Sequence, residues 1–131
     1  MQARALKRYI PSSPLKMKIV IDQIRGKNAA EALIILRFTP KHAAKVAEQT
    51  LRSAISNLNV KAELAETTIN DDEVFVKEVY VNQGPSMRRV LPAPMGRAYR
   101  IKKRSNHLTI VVAVPEVVDD LDALSDNKDT N

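Results

Sequence analysis

Few residues in this chain are of types that do covalent chemistry, and their spacing assembles no catalyst. The two histidines, His42 and His107, lie far apart in sequence, and there is no cysteine. No nucleophile sits beside a base, and the three glycines form neither a G-x-G-x-x-G nor a Walker-type phosphate loop. Asp71-Asp72-Glu73 is acidic but lacks calcium-loop spacing, so it reads as a turn. His42 reads as a surface residue in the first turn of a helix. His107 is placed to hydrogen-bond backbone or phosphate. No catalytic residue, cofactor or metal is expected.

What remains is cationic. Residues 82–107 hold seven basic side chains (Arg88, Arg89, Arg97, Arg100, Lys102, Lys103 and Arg104) and no acid. Lys and Arg placed on phosphates release counterions, and about six such contacts can dominate nucleic-acid affinity at moderate salt. Arg also forks onto phosphate and stacks on bases, which suits irregular RNA. A charge run by itself describes only a solvated face. Here Met87, Val90, Leu91, Met95, Tyr99 and Ile101 interleave with the cations, and Pro85, Pro92 and Pro94 stiffen the backbone. A merely soluble loop needs neither.

The elements that must position this stretch flank it. Residues 74–81 and 108–114 are rich in β-branched side chains and of strand length, which predicts a long β-hairpin with a hydrophobic base and a basic far part. The connection is too long for a tight turn, so an extended ribbon is expected to leave the body. Continued from Val81 to Leu91 at roughly 3.3 Å per residue, it would reach about 30 Å. A lone two-stranded ribbon is marginal in water, so a polyanion is expected to order it.

Composition agrees. Residues 1–114 carry 20 Lys and Arg against 9 Asp and Glu, a net of +11, whereas residues 115–131 carry one Lys against six acids, a net of −5. A basic body with an acidic tail points to a nucleic-acid partner. No apolar run approaches the roughly 20 residues of a membrane span, and the start of the chain lacks a signal-peptide core. Charge alone leaves DNA open, but no helix-turn-helix or zinc-finger spacing is present, and a DNA-reading ribbon belongs more naturally to a symmetric dimer.

In chain order, residues 2–10 read as a strand, with Ala3, Ala5 and Tyr9 on one side and Leu6 and Ile10 on the other. Ser13-Pro14 starts a helix carrying Leu15, Ile19, Val20 and Ile24 at helical spacing, ended by Gly26 as a left-handed cap. Asn28-x-x-Glu31 resembles a capping box for a short helix through Arg37 that buries Leu33, Ile34 and Leu36. Thr39-Pro40 repeats the start signal for a long helix to about Asn59, with an alanine-rich apolar stripe from Ala43 to Leu58. Asn70-Asp71-Asp72 is a turn, and the acidic tail is expected to be disordered. The sum is an α+β fold: three helices on a small, mostly antiparallel three-stranded sheet, with a protruding basic hairpin. One domain is expected over residues 1–114, with residues 115–131 as its tail.

Several blocks carry a resemblance: S-S-P-L-K-M-K-I-V-I-D-Q-I-R-G-K, A-L-I-I-L, S-A-I-S-N, G-P-S-M-R-R-V and G-R-A-Y-R-I-K-K-R-S-N-H-L-T-I-V-V. From about Pro11 to Val114 the chain resembles the bacterial large-subunit ribosomal protein twenty-two family. The resemblance implies binding to large-subunit rRNA, a role in subunit assembly, a body near the exit of the nascent-peptide tunnel, and a hairpin whose tip lines the tunnel. The residues expected to bind rRNA are Arg4, Lys7, Arg8, Lys16, Lys18, Arg25, Lys27, Arg88, Arg89, Arg97, Arg100, Lys102, Lys103, Arg104 and His107. The expected tunnel-lining tip is Met87, Arg88, Arg89, Val90, Leu91, Pro92, Ala93, Pro94, Met95 and Gly96. Many family members have an Arg-Ala pair where this chain has Ala93-Pro94, so a tip contact made by that arginine is not expected here. The implied partners are rRNA, neighbouring ribosomal proteins and the nascent peptide, with no membrane and no obligate homo-oligomer. The implied location is the ribosome of a bacterial cytoplasm, or equally an organelle.

Overall fold

The computed structural model describes residues 1–115, so the tail expected after Pro115 lies outside the described residues. Strand β1 (Gln2–Ile10) leads into helices α1 (Pro14–Ile21), α2 (Ala29–Phe38) and α3 (His42–Leu64). Strands β2 (Phe75–Gln83), β3 (Met87–Pro92), β4 (Ala98–Lys103) and β5 (Asn106–Ala113) follow. The fold is α+β. The main sheet has the order β1-β5-β2 and is antiparallel throughout, while β3 and β4 form a separate two-stranded sheet.

One face of the main sheet is the core. Cross-strand rows Ala3–Val112–Val76 and Ala5–Ile110–Val79 point at the helices and are buried. Against them α3 presents Ala43, Ala47, Leu51, Ala54 and Leu58, all buried. The alanines let the helix axis approach the sheet closely, and the leucines fill the space between. Each fully buried leucine contributes roughly 1.5–3 kcal/mol relative to exposure. The helix runs on from about Asn59 through Ala62 to Leu64, the extension that residues 62–66 leave open in the sequence.

Side chains of α3 also cover the free edge of β1. Asn57 Nδ2 donates to Arg4 O at 3.0 Å and Lys61 Nζ to Gln2 O at 2.8 Å. An edge strand left bare is a template for pairing with another chain. These two donors occupy acceptors that such a partner would use.

Several local expectations change for physical reasons. In β1 the pairing slips between Lys7 and Ile10, and Tyr9 adopts φ 56°. This bulge resets the alternation, so Ile10 is buried and Tyr9 exposed, the reverse of the expected sides. Helix α1 has the expected cap, with Ser13 Oγ accepting from Lys16 N, but it buries Met17, Val20 and Ile21, with Ile24 buried just beyond it, and leaves Leu15 and Ile19 exposed. Its α-helical part ends at Ile21. Tighter turns, with Ile24 N donating to Ile21 O and Lys27 N to Ile24 O, carry the chain to Gly26, which is left-handed at φ 76° but stands beyond the helix. In α2, Asn28 Oδ1 accepts from Ala30 N, whereas Glu31 reaches Lys27 Nζ at 3.9 Å. Leu36 is buried with Ala29 and Ala32, and Ile34 faces outward. Thr39 closes α2 rather than opening α3, since its hydroxyl donates to Ile35 O at 2.6 Å.

Candidate nucleic-acid interface

The basic hairpin does not continue the main sheet. At Gly84 and Ser105 the β2–β5 ladder stops, and a new ladder of six pairs begins at Met87 and Lys103. The joint is compact. Gly84 N donates to Ser105 O at 2.9 Å, and Ser105 Oγ donates to Pro85 O at 2.6 Å. A Cβ on Gly84 would lie 2.5 Å from Ser105 Oγ, so any larger residue there must displace the serine hydroxyl.

Two neighbours on β5 fasten this joint to the body. Asn106 is fully buried, and its Nδ2 donates to Ser12 O at 2.8 Å and to Ser12 Oγ at 2.9 Å. His107 points to the other side, where its Nδ1 accepts from Tyr9 N at 3.0 Å and its ring meets the Tyr9 ring edge-on at 5.0 Å. The bulge in β1 is what brings that N–H to the histidine. The expected backbone hydrogen bond of His107 is thus in place, and in the neutral ring it leaves the proton on Nε2.

Register sorts the arm's side chains onto two faces, because directly opposed residues project the same way. One face carries Arg88 opposite Lys102 and Val90 opposite Arg100. The other carries Met87 opposite Lys103, Arg89 opposite Ile101 and Leu91 opposite Tyr99. Every side chain here is exposed except Ile101, which is half-buried. Arg88 and Lys102 are like charges directly across a ladder, a destabilising arrangement. Among the described residues the ion pairs are Arg25–Asp22, Lys27–Glu31 and Arg52–Glu48, so no arm cation is paired with a carboxylate. The turn at the far end is tight: Met95 and Gly96 are successively left-handed at φ 63° and 71°, as a primed hairpin turn requires. Met95 is 96% exposed. The long connection is therefore a hairpin on a joint, closed by a short turn.

The remaining expected residues divide into groups. Arg4, Arg8 and His107 line one shallow depression on the outer face of the main sheet, beside Leu6, Tyr80 and Asn82. Lys7 lies next to α3, near Gln49 and Ser53. Lys16 shares a groove with Ile19, Lys41 and His42. Lys18 is exposed on α1. Arg25 reaches inward, donating to Val79 O at 3.0 Å while lying 3.3 Å from Asp22, and Lys27 lies near Glu31. Tyr80, Leu6 and Asn82 were not among the expected site residues. Their signal is strand parity: Val79 faces the core, so Tyr80 must face away.

Comparison with known proteins agrees with this architecture. The model of the family described as Ribosomal protein L22p/L17e matches residues 5–113. The large ribosomal subunit protein uL22 of Chlorobium phaeobacteroides (strain BS1) is 51% identical over 112 residues, spanning 86% of this chain and 94% of its own. Its namesakes in Clostridium acetobutylicum and Desulfitobacterium hafniense (strain Y51) are 46% identical over 114 residues and 45% over 111, spanning 96% and 93% of their own lengths. With a match that takes in the body, the joint and the whole arm, the chain belongs to the ribosomal protein L22p/L17e family.

Proposed function

We propose that this chain is a non-catalytic structural constituent of the large ribosomal subunit, acting on the ribosome. Residues 1–114 serve as one rRNA-binding unit whose arm lies within folded rRNA. The observation that carries this is the arm's charge: seven cations without carboxylate partners among the described residues, two of them directly opposed across β3 and β4. Phosphates between them turn that repulsion into attraction. The family supplies the polyanion, since the relatives are named as large ribosomal subunit proteins.

The body cations Arg4, Lys7, Arg8, Lys16 and Lys18 add contacts outside the arm. Residues 87–96 form the end that approaches the nascent peptide, and Met95, at the apex, is the side chain that reaches furthest into the tunnel. Neighbouring ribosomal proteins meet the body. Among the described residues no helix is long and apolar enough to cross a membrane.

The test is competition between large-subunit rRNA and duplex DNA of equal length, followed by reconstitution of subunits with a photo-crosslinking side chain at Met95. Preference for rRNA and a crosslink to the nascent chain are expected. Preference for duplex DNA would assign the ribbon to DNA, and a crosslink only to rRNA would remove Met95 from the tunnel wall.

A further inference from the structure

Resting on the rRNA-binding reading above, we propose that the open face of the β1–β5–β2 sheet is a second rRNA site that holds unpaired nucleotides by base stacking, with Tyr80 as the stacking residue. Among the described residues the helices cover only the other face. On the open side, register aligns three cross-strand rows: Arg4–Val111–Glu78, Leu6–Thr109–Tyr80, and His107 with Asn82. Thr109 is 3% exposed although, among the described residues, no helix covers it; it lies between Leu6 and Tyr80 in the register and shares their depression. The result is a floor with Leu6 at 43% exposure on one side and Tyr80 at 41% on the other.

Charge defines the occupant. Among the described residues the depression is lined by Arg4 and Arg8 and by no acidic side chain; Glu78 lies in the row beyond, near Lys61 and Arg4. Arginines flanking an aromatic floor can take phosphates while bases lie on the ring. Asn82 and the Nε2–H of His107 supply polar atoms for a base edge. A duplex keeps its base faces stacked internally and could offer this floor only its backbone.

The chain has no tryptophan, so Tyr80→Trp places a single reporter on this face and Tyr99→Trp a single reporter on the arm. Each full-length variant is titrated with a short single-stranded RNA of mixed sequence, with the same sequence as duplex, and with large-subunit rRNA. Single strands and rRNA should quench emission from position 80, and the duplex should not. Tyr80→Leu should weaken single-strand binding roughly 5- to 150-fold, from about 1–3 kcal/mol per stacked base, with an unchanged far-UV spectrum. Tyr80→Phe should bind nearly as well as the parent. Emission at position 80 unmoved by rRNA that quenches position 99 overturns the proposal, leaves the rRNA reading standing and returns the face to a protein partner. Equal quenching by duplex also overturns it. Failure of rRNA to bind either variant or the parent would instead sink the rRNA reading itself.

Discussion

Replacing Gly84 with alanine tests whether the arm stands on a packed joint. The added Cβ would sit 2.5 Å from Ser105 Oγ, 3.2 Å from the Ser105 carbonyl carbon and 3.3 Å from His107 Cε1. The first clash is relieved if the serine hydroxyl rotates away, which loses its 2.6 Å bond to Pro85 O, about 0.5–1.5 kcal/mol. The other two contacts require small shifts of backbone and ring, and overpacking of this kind costs about 1–3 kcal/mol. Gly84→Ala should therefore destabilise the joint by about 2–3 kcal/mol. Ser105→Ala alone loses the same hydrogen bond but leaves an exposed carbonyl that water can satisfy, so about 0.5–1 kcal/mol is expected. In the double variant the hydroxyl is gone and only the contacts with the Ser105 carbonyl carbon and the His107 ring remain. The pair should then cost less than the sum of the singles by about 1 kcal/mol. Amide exchange at residue 84, whose N–H donates to Ser105 O, reads the local opening directly. Additivity within about 0.3–0.5 kcal/mol would refute the reasoning, because it would mean that Ser105 Oγ does not occupy the space beside Gly84.

Other outcomes follow from the same contacts. Asn106→Ala removes both donors to Ser12 in a fully buried setting and should lower the urea midpoint by the equivalent of about 2 kcal/mol, whereas an unchanged midpoint would mean the strut carries nothing. Arg88→Gln or Lys102→Gln should slow amide exchange in β3 and β4 while weakening rRNA binding; exchange that stays as fast or quickens would mean that the opposed charges do not destabilise the free arm. Asn57→Ala with Lys61→Ala uncovers the edge of β1 and should cost about 1–2 kcal/mol. It should also promote concentration-dependent association in sedimentation, and a stable monomer would contradict the edge-cover assignment.

Much of this architecture was legible because local signals were strong. The stripe from Ala43 to Leu58 predicts a long buried helix, and the β-branched runs at 74–81 and 108–114 predict adjacent strands; all three form as read. The expected errors arose where two signals competed. Thr39-Pro40 has the composition of a helix start, yet the hydroxyl is used by the preceding helix. Leu15 and Ile19 keep helical spacing, but Met17 and Ile21 take the buried stripe. Tyr9 and Ile10 exchanged sides because a bulge shifts parity by one, and nothing near residues 7–10 announces it in composition. The arm's cations were plain in the sequence. Their sorting onto two faces was not, since it depends on a register set by the Met95-Gly96 turn and the break at Gly84.

The measurement that bears most directly on the arm's role is rRNA affinity as a function of salt. It compares the intact chain with one carrying alanine at Arg88, Arg89, Arg97, Arg100, Lys102, Lys103 and Arg104. With roughly 0.7–0.9 counterions released per phosphate contact, loss of all seven contacts should flatten the log–log slope by about 5–6. The far-UV spectrum and urea midpoint should stay unchanged, because these side chains bury nothing in the core. An affinity and slope that barely move would contradict the account and put the main rRNA surface on the body.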